Sequence, residues 1–280
     1  MEKFCDLHTH SLYSDGTASP AELVREAKKE GLSAVALTDH NTVAGLSEFT
    51  AAAKEQGIEG VCGIEFSADF ESREIHILGL FIKEEYFGDI NELLADVKRR
   101  KEEANRALAT ALRDDGFDIS YDEIKNASGG YVNRAHFATA LFEKGYAESV
   151  RNAFDKYLTV EAGYYKEPGR LSAFEVIPFI CRIGAVPVLA HPFLNLSESE
   201  LRRFLPVARG LGLSAMETDY SEYSEDTTFL ARGIADEYGI LRSGGSDWHG
   251  KRKPLIRMGR GKGDLRVPYE YLSELKKEAK

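Results

Sequence analysis

Seven short apolar runs punctuate this sequence, and its histidines and acids collect at their ends. Phe4-Cys5-Asp6-Leu7 leads into His8 and His10, Ser33–Thr38 ends at Asp39 and His40, and Gly60–Ile64 ends at Glu65. Glu74–Phe81 carries His76 inside it. Ala185–Ala190 ends at His191, Ser214–Met216 at Glu217, and Ile240–Ser246 at Asp247 and His249. Runs of this length bounded by turn residues read as buried strands. The stretches between them carry helix-start signals. Ser19-Pro20-Ala21-Glu22 and Ser172-Ala173-Phe174-Glu175 are capping boxes, in which a serine side chain and a glutamate three residues on satisfy each other's backbone N–H groups. Strand–helix repetition calls for a parallel sheet with helices outside it. Alternation alone suits a closed barrel and an open doubly wound sheet equally.

The rhythm breaks between about Asp89 and Tyr165. That stretch has helical patterns at Ile90–Leu112, Arg134–Glu143 and Ser149–Leu158, a turn at Ser128-Gly129-Gly130, and no convincing strand. We therefore divide the chain into an α/β domain over residues 1–88 and 166–280 and a helical insertion over 89–165.

In parallel α/β folds the loops that follow the strands share one face, and functional side chains gather there. Six of the seven histidines fall at such positions or inside a strand, with the carboxylates Asp39, Glu65, Glu217 and Asp247. His8 and His10, two apart on a strand, project from one side of it. Mixed imidazole and carboxylate donors suit zinc, manganese or iron, and do not suit calcium or thiolate-bound zinc. So many donors exceed the needs of one ion. They imply two or three divalent ions, with a carboxylate such as Glu65 shared between two. Paired ions are the usual device for hydrolysing phosphate esters.

Composition limits the partners. A net charge of −10 argues against sequence-independent binding to long nucleic acid. No apolar run approaches the roughly 20 residues that span a bilayer, and the N-terminus lacks a leader pattern. Cys5, Cys62 and Cys181 lie far apart in apolar stretches and read as reduced thiols. We expect a cytoplasmic protein with no membrane partner and a small anionic substrate. One segment runs against the overall acidity. Lys251, Arg252, Lys253, Arg257, Arg260 and Lys262 follow His249 without an intervening acid, a collar able to draw an anion to the site.

The motifs resemble those of the PHP family, the polymerase and histidinol phosphatase domain. They are D-L-H-T-H at 6–10, S-D-G-T at 14–17, T-D-H-N-T at 38–42, G-I-E at 63–65, H-I-L-G at 76–79, A-H-P at 190–192 and G-G-S-D-W-H-G at 244–250. The resemblance implies a distorted (β/α)7 TIM-like barrel and a trinuclear centre. His8, His10, Glu65 and Asp247 would hold the first ion, Glu65, His76 and His191 the second, and Asp15, His40 and His249 the third. Asp15 stands where some family members have histidine, and an oxygen donor there favours manganese over zinc. Asn133-Arg134-Ala135-His136 resembles the Arg-Pro-His element of the nucleotide-directed subfamily, with alanine in place of proline. That subfamily comprises nucleoside 3′,5′-bisphosphate phosphatases and 5′→3′ exonucleases acting on short RNA. Arg134 and His136 would then bind the substrate phosphate, as a planar guanidinium suits.

The expected enzyme is a metal-dependent phosphoesterase. It would convert a nucleoside 3′,5′-bisphosphate to the 5′-monophosphate through a metal-bridging hydroxide, with Glu65 and His249 in the catalytic centre. Asp39 or a group of the third site would help the leaving oxygen depart, and Asp6 would orient an imidazole. Histidinol-phosphate phosphatase, 5′→3′ exonuclease on short RNA, and non-catalytic metal-binding module stay open as alternatives.

Overall fold

The computed structural model describes residues 2–129 and 132–280; Gly130, the last residue of the expected turn at 128–130, lies outside the described residues. The chain divides into two compact units, Met1–Asn91 with Leu171–Lys280, and Glu92–Arg170.

The strands of the first unit are β1 (Phe4–Asp6), β2 (Ala34–Leu37), β3 (Glu59–Phe70), β4 (Arg73–Leu80), β5 (Leu171–Ser172), β6 (Val186–Ala190), β7 (Ala215–Tyr220), β8 (Leu241–Gly245) and β9 (Val267–Pro268). Their order is β8-β7-β6-β4-β3-β2-β1-β9, with β5 beside β3. β1, β2 and β3 are parallel, as are β6, β7 and β8. The segments that follow β1 and β8 then meet. Leu7 N–H donates to Gly244 O at 3.2 Å, Asp247 N–H to His8 O at 2.8 Å, and His10 N–H to Trp248 O at 2.9 Å. The sheet is thus a nearly closed barrel, which decides between the two α/β forms. Closure needs Gly245, because a Cβ there would lie 2.6 Å from the His8 backbone nitrogen.

The sheet is not wholly parallel. β4 runs antiparallel to both β3 and β6. The cause is the two-residue link Glu71-Ser72, whose φ values of 50° and 64° make a tight hairpin turn. A parallel return would need a crossover of roughly a dozen residues. β3 is also longer than its apolar run predicts. It continues through Glu65 to Phe70, so Glu65 lies inside a strand and not at its end.

Helices cover the barrel. Both predicted capping boxes form: Ser19 Oγ accepts from Glu22 N–H, Glu22 Oε2 accepts from Ser19 N–H, and Ser172 with Glu175 does likewise. The helix Pro20–Lys29 buries Leu23, Val24 and Ala27. Every residue of β2 is buried, as a strand covered on both faces requires. Leu7, Ala36, Val61, Leu78 and Val188 belong to one apolar cluster. A further helix, Tyr269–Glu278, buries Leu272 and Leu275.

The second unit has its own core of Leu108, Leu112, Phe137, Leu141 and Leu158. The helices Tyr121–Ala127, Arg134–Glu143 and Val150–Tyr157 contribute to it, with the later turns of Phe87–Asp114. Tyr121–Ala127 was not legible as a pattern of its own. No helix among the described residues is long and apolar enough to cross a membrane.

Candidate metal centre

Glu65 is the hub of the barrel's side-chain chemistry. It is fully buried. His8 Nε2, His10 Nε2 and His40 Nδ1 approach its Oε2 at 3.3, 3.2 and 2.9 Å. His76 Nδ1 and His191 Nε2 approach Oε1 at 2.8 and 3.1 Å. Asp247 Oδ1 lies 3.2 Å from His10 Nε2 and 3.4 Å from His249 Nδ1. Asp15 Oδ1 lies 3.1 Å from His249 Nε2 and 3.9 Å from His40 Nε2. All nine residues expected to ligate thus lie in one cluster. Their donor atoms form overlapping groups: His8, His10 and Asp247; His8, Glu65 and His191; His40, Glu65 and His76; His10, Asp15, His40 and His249.

The donors fit cations better than they fit one another. His40 Nδ1 and Glu65 Oε2 are within contact distance but are not aligned as a hydrogen bond. Neither atom, nor His76 Nδ1, has a hydrogen-bond partner among the described residues. Leaving buried polar atoms unmatched costs about 1–3 kcal/mol each, and a bound divalent ion would remove that cost. Two other members of the cluster carry left-handed backbone. His191 and Asp247 have φ of 28° and 55°, conformations that cost of order 1–3 kcal/mol each in a non-glycine residue.

Burial opposes charge throughout the cluster, and pairing outweighs it. Burial would raise Glu65, yet His40, His76 and His8 hold its carboxyl well below the usual range. Asp247 is likewise held low against burial by His8, His10 and His249. Burial would lower the imidazoles, but Asp247 and Glu65 lift His10 to about 9, and Glu65 and Glu74 lift His76 to about 10. His249 goes the other way, lowered by burial and by His10.

A surrounding layer of residues aims these donors. Glu217 is fully buried on β7; its Oε1 lies 3.1 Å from His8 Nδ1 and its Oε2 accepts the His191 N–H at 2.7 Å. The Nδ1 of His8 is thereby engaged and its Nε2 turned to the centre. Asn195 Oδ1 lies 3.1 Å from His191 Nδ1, and the Asp247 carbonyl 2.8 Å from His249 Nδ1. Tyr220 OH and Lys253 Nζ donate to Asp247 Oδ2 at 2.8 and 2.6 Å, leaving Oδ1 to the imidazoles. Asp6 does not orient an imidazole. It accepts from Ser246 N–H, Ser246 Oγ and Gly259 N–H, and from the His8 backbone N–H at 3.4 Å, so it ties the barrel's closing seam to the backbone of β1's end and touches no imidazole ring. Asp39 accepts from Ser11 N–H, Ser11 Oγ and Ser14 Oγ, and so holds the loop after β1. Glu217 was visible in the sequence as a strand carboxylate, but nothing local marked it as the partner of His8.

Seven of the nine candidate ligands, all but His8 and His10, line a cleft of about 240 Å³ with Leu194, Asn195, Arg252 and Lys253. Arg134 and His136 lie in the second unit. Asn133 caps the helix Arg134–Glu143 reciprocally with His136, whose Nδ1 accepts the Asn133 N–H at 3.1 Å. The Arg134 guanidinium stacks 4.4 Å from the Tyr165 ring centre and 5.0 Å from that of Phe154, and donates to Leu158 O at 3.3 Å.

Comparison with known proteins bears on this geometry. The model of the PHP domain matches residues 6–167. A 5′-3′ exoribonuclease of Haemophilus influenzae is 34% identical over 251 residues, covering 89% of this chain and 91% of that protein. A 3′,5′-nucleoside bisphosphate phosphatase of Chromobacterium violaceum is 29% identical, covering 87% and 86%. The crystal structure of a metal-dependent phosphoesterase from Bifidobacterium adolescentis superposes with a TM-score of 0.83 at 28% identity, over 99% of this chain and 97% of that one.

Proposed function

The chain belongs to the PHP domain family and is a phosphoesterase, and from that premise we propose that it removes the 3′-phosphate of a nucleoside 3′,5′-bisphosphate in the cytoplasm. The observation that carries this reading is the single cluster of six imidazoles and three carboxylates opening on one cleft, with buried donor atoms unmatched. His8, His10, Glu65 and Asp247 would hold one divalent ion, Glu65, His76 and His191 a second, and Asp15, His40 and His249 a third. Manganese, iron and zinc all suit the donors, and the oxygen of Asp15 favours manganese. When bound, such ions acidify water and neutralise phosphoryl oxygens.

The chain's own residues do the rest. Glu217 and Asn195 aim His8 and His191. Tyr220 and Lys253 hold Asp247 by its outer oxygen. Asp39 is committed to Ser11 and Ser14, so its task in this proposal is to hold a loop and not to protonate the leaving oxygen. Arg134 and His136 bind the substrate phosphate, the guanidinium being held flat by Tyr165 and Phe154. In the reaction a water oxygen bonds to phosphorus, the bond from phosphorus to ribose O3′ breaks, and O3′ takes up a proton. His249, between Asp15 and the Asp247 carbonyl, is the residue we assign to the reacting centre beside Glu65.

The test is release of inorganic phosphate from a nucleoside 3′,5′-bisphosphate by the manganese-loaded protein. Glu65→Gln and His10→Ala should abolish turnover while the circular dichroism spectrum stays native; full activity in either variant refutes the reading. Arg134→Ala should lower kcat/KM for the bisphosphate severely, as the nucleotide reading requires and a histidinol-phosphate phosphatase reading does not. A second reading, 5′→3′ exonuclease on short RNA, is favoured by the likeness to the Haemophilus influenzae exoribonuclease. Incubation with a short 5′-phosphorylated oligoribonucleotide separates the two, since only the exonuclease yields mononucleotides.

A further inference from the structure

The basic collar after His249 is not uniform. Arg257 and Arg260 are spent on Glu30, at 3.3 and 3.8 Å. Lys251 and Lys262 are exposed and line no part of the cleft over the metal centre. Only Arg252 and Lys253 line it. Lys253 Nζ is anchored on Asp247 Oδ2. Arg252 is exposed, and no acid pairs with it among the described residues.

The backbone that presents them is pinned. Gly250–Arg252 forms a 3-10 turn directly after His249. Thr17 Oγ1 accepts the Lys251 N–H at 2.8 Å and donates to His249 O at 3.3 Å. Gly250 has φ of 64°, and a Cβ there would run into that hydroxyl. The guanidinium therefore hangs from a fixed turn at the rim, one residue from an ammonium held in the wall.

We propose that Arg252 and Lys253 form a subsite for the non-scissile phosphate of the substrate, and so select bisphosphorylated nucleotides over monophosphate esters. The inference rests on the phosphatase reading above and adds the residues that set its substrate preference. A scissile phosphoryl group is neutralised by the ions that the nine donors hold. A second phosphate on the same substrate needs cations of its own, and the cleft offers Arg252 at the rim and Lys253 on the outer oxygen of Asp247. Arg252 and Lys253 are the cations lining this cleft, and a guanidinium fork matches a phosphate edge. A monophosphate ester offers Arg252 no phosphate and forgoes that charge-assisted contact, while Lys253 keeps only Asp247 as its partner.

The experiment measures kcat/KM of the manganese-loaded protein for a nucleoside 3′,5′-bisphosphate and for p-nitrophenyl phosphate, in the wild type, Arg252→Met and Arg252→Lys, with bound manganese quantified in each. The ratio of the two values should fall about ten- to a hundred-fold in Arg252→Met, as loss of a charge-assisted contact predicts. Arg252→Lys, which keeps the charge and loses the fork, should fall between, and manganese content should be equal in all three. A ratio within twofold of wild type in Arg252→Met overturns the subsite, and so does an equal loss on both substrates. Absence of bisphosphate turnover in the wild type is a separate result that overturns the phosphatase reading and this inference with it.

Discussion

Changing Glu217 to glutamine swaps one oxygen for an amino group at a site that offers no slack. Glu217 is fully buried and faces two N–H donors, His8 Nδ1 at 3.1 Å and the His191 amide at 2.7 Å. Glutamine has one acceptor oxygen for the two. The His191 amide cannot change role, so it takes the oxygen. The amide nitrogen then faces His8 Nδ1 and requires a lone pair there. The His8 proton must move to Nε2, the atom that faces Glu65, His10 and Asp247. A protonated Nε2 cannot ligate. Loss of such an imidazole-orienting partner weakens metal binding about 10- to 100-fold, or roughly 1.4–2.8 kcal/mol. Isothermal titration of Mn²⁺ into metal-free Glu217→Gln should show this loss, while near-ultraviolet circular dichroism matches wild type because glutamine fills the same volume. Wild-type affinity in that variant would refute the claim that Glu217 sets the state of His8.

Three further outcomes follow from the same contacts. In the metal-free protein His10 is raised to about 9 and His76 to about 10, so both carry protons at neutral pH. A ligating imidazole must be neutral, so ion uptake should release protons and tighten as pH rises toward those values, read from the dependence of titration heats on buffer ionisation enthalpy; heats independent of buffer would sink this. Gly245→Ala forces a Cβ to within 2.6 Å of the His8 backbone nitrogen and should cost about 3 kcal/mol in urea unfolding, whereas a loss under ~1 kcal/mol would mean the seam can shift. Asp6→Ala strands four buried donors, Ser246 N–H, Ser246 Oγ–H, Gly259 N–H and His8 N–H; it should destabilise the fold by roughly 3–5 kcal/mol without a matching loss of metal affinity in the folded fraction, and the reverse pattern would restore Asp6 as an imidazole partner.

Much of the centre is legible in the sequence. Histidine is sparse in this chain, and its placement at or within predicted strands pointed to nearly every donor, because strand ends in an α/β barrel converge whatever the order of the strands. Capping boxes at Ser19 and Ser172 were equally legible, since each is a contact between residues three apart. Glu65 was found for a reason that proved partly mistaken. It sits within β3, beyond which the hairpin turn Glu71-Ser72 reverses the chain and makes β4 antiparallel.

What the sequence determined by itself was the kind of chemistry: which side chains could ligate, and that they would meet on one face. Tertiary structure alone decided how each is used. The partners Glu217 and His8 are 209 residues apart, and Ser246 and Asp6 are 240 apart. Such pairs depend on which strands are neighbours and in what register, and no local pattern encodes that. The same holds for the basic collar, where one run of like residues divides between Glu30, Asp247 and an open cleft only once the loop is folded. Local signals reflect interactions along the chain; the roles of these charges are set by groups brought to them through space.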